Sequence, residues 1–170
     1  MIHQSSQSRF AEINSLDQLK KLQAGQGHDW PDTVILRNNG LPTLGEARYE
    51  GLFQLLEIKT IDYFPRSIVE IWDELALHPG HNLQVETSIV LRYPAALYFF
   101  VNKRNLPLAH ALERGLRQAI KDESFDKLFY QYHHAWIERA NLKNRKLFLL
   151  NNPLLPAETP LDQKQLWFQQ

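Results

Sequence analysis

Residues 61–75, IDYFPRSIVEIWDEL, read as a short apolar strand running into a helix, and residues 93–116, YPAALYFFVNKRNLPLAHALERGL, repeat the pattern. In the first stretch the polar turn Pro65, Arg66, Ser67 falls between the two elements. It therefore belongs at the carboxyl end of a strand and the amino end of a helix. Open α/β sheets bind small ligands at such places, because the strand ends leave a crevice and the helix start presents free N–H groups. No catalytic constellation elsewhere in the chain competes with this location.

Working outward, residues 1–13 read as a tail with a short strand around Phe10–Ile13. NSLDQLKKL reads as a capped helix, with Ser15 three residues before Gln18 in capping-box spacing and Leu16, Leu19 and Leu22 on one face. AGQGHDWPD at 24–32 breaks it, with Gly25 as the closing residue. TVILRN at 33–38 has the β-branched composition of a strand. NNGLPT is a turn, and 44–58 is a helix with Tyr49, Leu52, Phe53 and Leu56 on one side. IDYF is a buried strand. Residues 67–77 form a helix that Ser67 and Glu70 fit as a capping box.

Beyond PGHN, residues 83–94 offer one or two strands, and ALYFFVN at 96–102 is the most strand-like run of all. The next stretch divides near Asp122–Glu123 into two helices, with Pro107 suited to the first turn of the first. RKLFLLNNPLLPAETPLD is an extended apolar tail holding Pro153, Pro156 and Pro160. The expected fold class is α/β, with a mixed, mainly parallel sheet followed by carboxyl-terminal helices. Strands at 85–102 are expected to run antiparallel. The boundaries are a tail at 1–13, an α/β lobe at 14–102, a helical segment at 103–140 and a proline-rich tail at 141–170.

The chain has 170 residues, enough for one good core or two small ones. Nineteen basic residues balance nineteen acidic ones, so net charge draws it toward neither nucleic acid nor anionic membrane. The mildly basic stretch RANLKNRK reads as a solvated helix end rather than a phosphate site. Cysteine is absent, which removes thiolate chemistry and cysteine metal sites. No apolar run reaches the roughly 20 residues of a membrane span. MIHQSSQSRFAEI lacks the apolar core of a secretory signal.

Hydrolase and nucleotide signatures are missing: there is neither G-x-S-x-G nor a P-loop. His78 and His81 in HPGH could pair on a metal, but the sequence places no third ligand. His133 and His134 are adjacent on a helix and point apart. Asp73 and Glu74 read as the wet face of a helix. The candidates that remain are ligand contacts. Arg66 suits an anion at a helix start, or else pairs with Glu70 one turn on. Asp62 faces the same mouth or caps local backbone. His28, Asp29 and Trp30 form a second polar-aromatic turn, in which Trp30 stacks on a ligand, on a partner or in the core. Tyr63 and Phe64 alternate along a two-sided strand. Tyr98, Phe99 and Phe100 read as core.

The blocks SLDQLKKLQAGQGHDWPDTVIL, RYEGLFQLLEIKTIDYFPRSIVEIWDEL, YPAALYFFVNKRN, LERGLRQAIKDESFDKLFYQYH and LFLLNNPLLPAETPL together resemble the bacterial extracellular solute-binding protein family 3 over roughly residues 10–167. The resemblance implies a periplasmic-binding-protein-like, two-lobed fold closing on a small-molecule solute, a periplasmic location and a membrane permease as partner of a full-length form; a chain complete as given would instead be cytoplasmic. It also implies that the first lobe and signal peptide are missing. IDYFPRS falls where members have a Gly-Arg-x-Asp-Ala strand followed by an acid that receives a ligand ammonium. Here Asp62 matches the earlier aspartate, while Arg66 or Ser67 stands at the later position. That departure opens the site to an anionic or uncharged solute as much as to an amino-acid-like one. The expected ligand contacts are therefore Asp62, Arg66, Ser67, Trp30 and His28, with no catalytic residue, cofactor or metal and no nucleic acid. A homo-oligomer or swapped dimer is expected, because the elements that pack on a first lobe remain. The alternatives are an interaction module that no longer binds solute and, more remotely, a metal enzyme using His78 and His81.

Overall fold

The computed structural model describes residues 1–169 and is a mixed α/β fold built on small sheets. β1 (Ile2–His3) pairs antiparallel with β4 (Leu83–Gln84), and β2 (Ala24–Gly27) pairs parallel with β3 (Thr43–Glu46). Tyr63 joins the two pairs, lying parallel to Ala24 and antiparallel to Ile2. The resulting order is β3, β2, the Tyr63 segment, β1, β4. A second sheet pairs β5 (Ile89–Arg92) in parallel with β6 (Lys146–Leu149).

Helices connect and cover these strands. α1 (Gln7–Ala11) and α2 (Leu16–Leu19) lead into β2, α3 (Pro31–Asn38) joins β2 to β3, and α4 (Tyr49–Glu57) joins β3 to the Tyr63 segment. α5 (Ile71–Leu77) precedes β4, and α6 (Leu106–Lys121) with α7 (Ser124–Ala140) forms a hairpin between β5 and β6. Tyr63 faces a core with Ile2, Phe10, Ala24, Leu36 and Ile89. Phe64, one residue on, faces the opposite core with Phe53, Leu56, Ile61 and Trp72. The opposite facing of Tyr63 and Phe64 therefore holds, and period-two alternation explains it, but IDYF is not a continuous strand: Tyr63 alone of its residues makes β-bridges.

Several expectations fail, each for a local reason. Residues 10–13 are not a strand: Phe10 belongs to α1 and buries its ring in the core. Gly25 does not close a helix; it lies in β2, and its missing side chain lets Ile61 and Leu52 approach, since a Cβ there would meet Ile61 Cδ1 at 2.3 Å. TVILRN is helical because Pro31 supplies the first turn and Ile35 and Leu36 lie on the buried side. Residues 44–46, read as the start of a helix, belong with Thr43 to β3. The antiparallel pairing expected over 85–102 is replaced by the parallel β5–β6 ladder, so the tail at 146–149 is a strand. ALYFFVN at 96–102 forms no strand, and Leu97 and Phe100 are 100% and 92% exposed. A strand needs a partner for its N–H and C=O groups, and no described segment pairs with this one.

Ser15 does cap α2, its hydroxyl accepting from the Gln18 N–H at 3.3 Å. The reciprocal bond runs to Asn14 rather than Ser15, with the Asn14 N–H donating to Gln18 Oε1 at 2.6 Å. Ser67 does not cap α5, which begins at Ile71; its hydroxyl accepts only from Val69 N–H at 3.4 Å. Pro107 and the break at Asp122–Glu123 fall as expected. Among the described residues no helix is long and apolar enough to cross a membrane.

Candidate functional site

β2 comes first of the three parallel segments, with β3 on one side and the Tyr63 segment on the other. Chain direction along the sheet therefore reverses between β2 and Tyr63. Crevices open at the carboxyl ends of the strands flanking such a reversal. A cavity of about 780 Å³ lies there, its near wall formed by Gln26, Trp30, Pro65, Arg66 and Ser67. The far wall comes from the second sheet and its flanks, including Arg92, Tyr93 and Arg145.

Gly27 positions Trp30. A Cβ at Gly27 would stand 2.4 Å from the indole, so only glycine allows the ring to fold back over the strand end. Thr33 fixes the same turn by donating its hydroxyl to the Gly27 carbonyl at 2.6 Å. One side of Trp30 stacks on Phe64 with centroids 6.3 Å apart. The Arg66 guanidinium sits 4.9 Å from the indole centroid, a cation–π contact.

Arg66 is committed to carboxylates of its own chain. Its Nε donates to Glu74 at 2.7 Å and one terminal nitrogen to the same carboxylate at 2.5 Å, in bidentate geometry. Glu70 approaches at 3.0 Å. Burial opposes the charge of Arg66, but the Glu74 hydrogen bond and the two carboxylates outweigh it and hold the guanidinium above its ordinary pKa. One cation between two carboxylates is net negative, so Arg66 is not a free anion receptor. Both the ligand reading and the Glu70 reading foresaw this location; neither foresaw Glu74.

The other predicted contacts divide. Ser67 and Trp30 line the cavity with Arg66. Asp62 does not: it accepts from the Gln23 N–H at 2.8 Å and from Arg9 at 2.6 Å, which is the backbone-capping role. A residue alternates to the opposite side of the strand from its neighbours, so Asp62 cannot share the side of Tyr63. His28 lies outside the cavity lining, with a largely exposed ring 3.7 Å from Asp29. His78 is stacked on Phe53 at 3.6 Å and held by the Glu74 carbonyl and Glu50. Among the described residues no three histidine, aspartate or glutamate side chains gather as a metal ion would require.

Sequence reasoning missed four lining groups. Gln26 was hidden inside AGQG, whose glycines look like a turn. Its side-chain amide donates to the Pro65 carbonyl at 2.9 Å and so ties β2 to the Arg66 turn. Asp32 accepts the Tyr93 hydroxyl, linking α3 to the far wall. Burial, followed by that hydrogen bond, pushes the Tyr93 phenol up from its ordinary pKa. Glu86 is buried and accepts the Ile89 N–H at 2.8 Å and the Gln7 amide at 3.0 Å. Arg145 donates to the Ala140 and Glu86 carbonyls at 2.6 and 2.7 Å, and burial holds its pKa below the usual arginine value. The contacts of Gln26 with Pro65, Asp32 with Tyr93, Glu86 with Gln7 and Arg145 with Glu86 join positions 39 to 79 residues apart, which no short-range spacing encodes. Comparisons of the chain with protein-family models, with curated proteins and with solved structures find no match.

Proposed function

We propose that the crevice at the carboxyl ends of β2 and the Tyr63 segment holds a small solute, and that the first sheet is the second lobe of a solute-binding-protein-like fold. The observation that carries this reading is the cavity of about 780 Å³ at the strand reversal, a volume within the range of small-molecule sites. Its wall is mostly apolar, with a few polar groups converging on it, as ligand sites generally are. The strand order and the resemblance to family 3 support the same reading. On that basis the natural partners are a small-molecule solute and, for a full-length periplasmic form, a membrane permease. No step of this function needs a nucleophile or a cofactor.

A thermal-shift panel of amino acids, dicarboxylates and neutral amides tests it. Binding to the folded state alone raises stability by about 2.7 kcal/mol at a hundredfold excess over the dissociation constant. A shift specific to one solute class is the expected result. A flat response across the panel rejects solute binding.

The second reading, a non-catalytic interaction module, rests on a separate observation. Leu97, Phe99, Phe100 and, on α6, Leu106, Leu108 and Leu116 are exposed, and α6 contains no buried residue. Light scattering on a chromatographed sample tests it: a 20 kDa species that stays folded at micromolar concentration rejects self-association through this surface.

A further inference from the structure

Two polar side chains in the cavity wall are more than nine-tenths buried and have an atom with no hydrogen-bond partner among the described residues: Gln26 Oε1 and the Tyr63 hydroxyl. Gln26 is 1% exposed and Tyr63 4%. Leaving such a group unpaired forfeits the hydrogen bond it makes to water in the unfolded chain, so native structures rarely tolerate two in one place without a use. The two are neighbours by construction. Tyr63 pairs with Ala24, and residues two apart on a strand face the same way, so Tyr63, Ala24 and Gln26 share one side of the sheet. Both side chains line the 780 Å³ cavity.

The charged groups of the same wall are already engaged. Arg66 is taken by Glu74 and Glu70, Asp32 by Tyr93, and Glu86 by backbone N–H groups. Arg92 donates to the Phe168 carbonyl. What is left unpaired is neutral. The Gln26 amide nitrogen is fixed on the Pro65 carbonyl, so its oxygen is turned to accept from an N–H or O–H. The phenol of Tyr63 supplies a donor on the same side of the sheet. Burial pushes that phenol up from its ordinary pKa, which keeps the proton on it.

We propose that Gln26 and Tyr63 form the polar end of the solute site and select a neutral carboxamide-type group, with the apolar part of the solute against the cavity wall. An amide offers an N–H donor to Gln26 Oε1 and a carbonyl acceptor to the Tyr63 hydroxyl without bringing a charge into the wall. A carboxylate lacks the donor, and an ammonium lacks the acceptor. This inference rests on the small-solute reading above but names a class that reading leaves open.

The test is a titration of the full 170-residue chain with benzamide, benzoate and benzylamine, followed by backbone amide chemical shifts. Benzamide should shift resonances of residues 24–30 and 63–67 and bind at least about fivefold more tightly than the two charged analogues. Tyr63→Phe removes only the unpaired hydroxyl. It should leave the melting temperature of the free protein equal or higher while weakening benzamide about fivefold. Gln26→Met should weaken it at least as much, but also loses the bond to Pro65, so the tyrosine variant is the decisive one. Equal or tighter benzoate or benzylamine binding at these residues overturns the amide class and leaves the solute reading standing. Absence of benzamide shifts, or unchanged benzamide affinity in Tyr63→Phe, also overturns the amide class. The solute reading itself falls only if the wider thermal-shift panel is flat as well.

Discussion

Arg66 shows how a single side chain can be located correctly and still be assigned the wrong work. From the sequence it stood at a strand end facing a crevice, and it does. Its Glu70 partner was visible as a pair one turn apart, whereas Glu74, eight residues on, is brought in only by the loop at 65–70. Both Arg66 and Glu74 side chains are 14% exposed, so removing one strands the other in poor solvent. Arg66→Ala should lower unfolding free energy by about 2–4 kcal/mol in urea denaturation, toward the lower side of the range for broken buried pairs. Its effect on an anionic solute should be small. A stability change under 1 kcal/mol, as for about the median surface pair, would show that the pair is wet. Asp62 gives the complementary case. Asp62→Ala should cost about 1–3 kcal/mol through its lost bonds to Gln23 and Arg9 and leave solute affinity unchanged in calorimetric titration.

At the scale of elements, Gly27 is the residue on which the geometry of the mouth depends. Gly27→Ala should destabilise the fold by about 1–3 kcal/mol by forcing Trp30 off the strand end, and should also change its fluorescence. A variant with native stability and emission would mean that the indole has room to move. The same turn marks where the sequence was legible and where it was not. The helices at 106–121 and 124–140, the capped start at Ser15 and the two faces of IDYF were all readable, because capping, proline position and periodicity are local signals. β2 read as a turn and α3 as a strand. Glycines 25 and 27 looked like a turn but mark close approach, and the β-branched TVI looked like a strand but follows a helix-initiating proline. ALYFFVN failed for a different reason: composition favours a strand, but strand formation depends on a partner that sequence alone does not supply. The site was half legible. Trp30, Arg66 and Ser67 flank the crevice as expected, while Gln26, Asp32, Glu86 and Arg145 depend on long-range folding.

Across the whole molecule, the amino end is part of the core. The Met1 amino group is buried and donates to the Phe64 carbonyl at 2.8 Å, and burial lowers its pKa to about 5. The folded 170-residue chain therefore binds fewer protons than the unfolded one between about pH 5 and pH 8. The stability this group supports is fully present above pH 8 and is lost as pH falls toward 5, with a slope of at most about 1.4 kcal/mol per pH unit. Urea denaturation across that range measures it, and a pH-independent midpoint would contradict a neutral buried amine. The helical hairpin is attached more lightly: Trp136 stacks on Trp72 with centroids 5.7 Å apart, and Arg139 lies over the same ring. The parallel β5–β6 ladder has a kinetic consequence. Its strands are separated by residues 93–145, so pairing them closes a long loop before any ladder bond repays the entropy. Within the first sheet the β2–β3 pair joins nearer neighbours, Ala24 with Thr43, and should form earlier. In pulsed hydrogen exchange during refolding, amides of residues 24–27 should gain protection before those of 146–149. The far wall of the crevice would then order after the β2 side, and anything entering it would meet an open half-site well before the chain had closed around it.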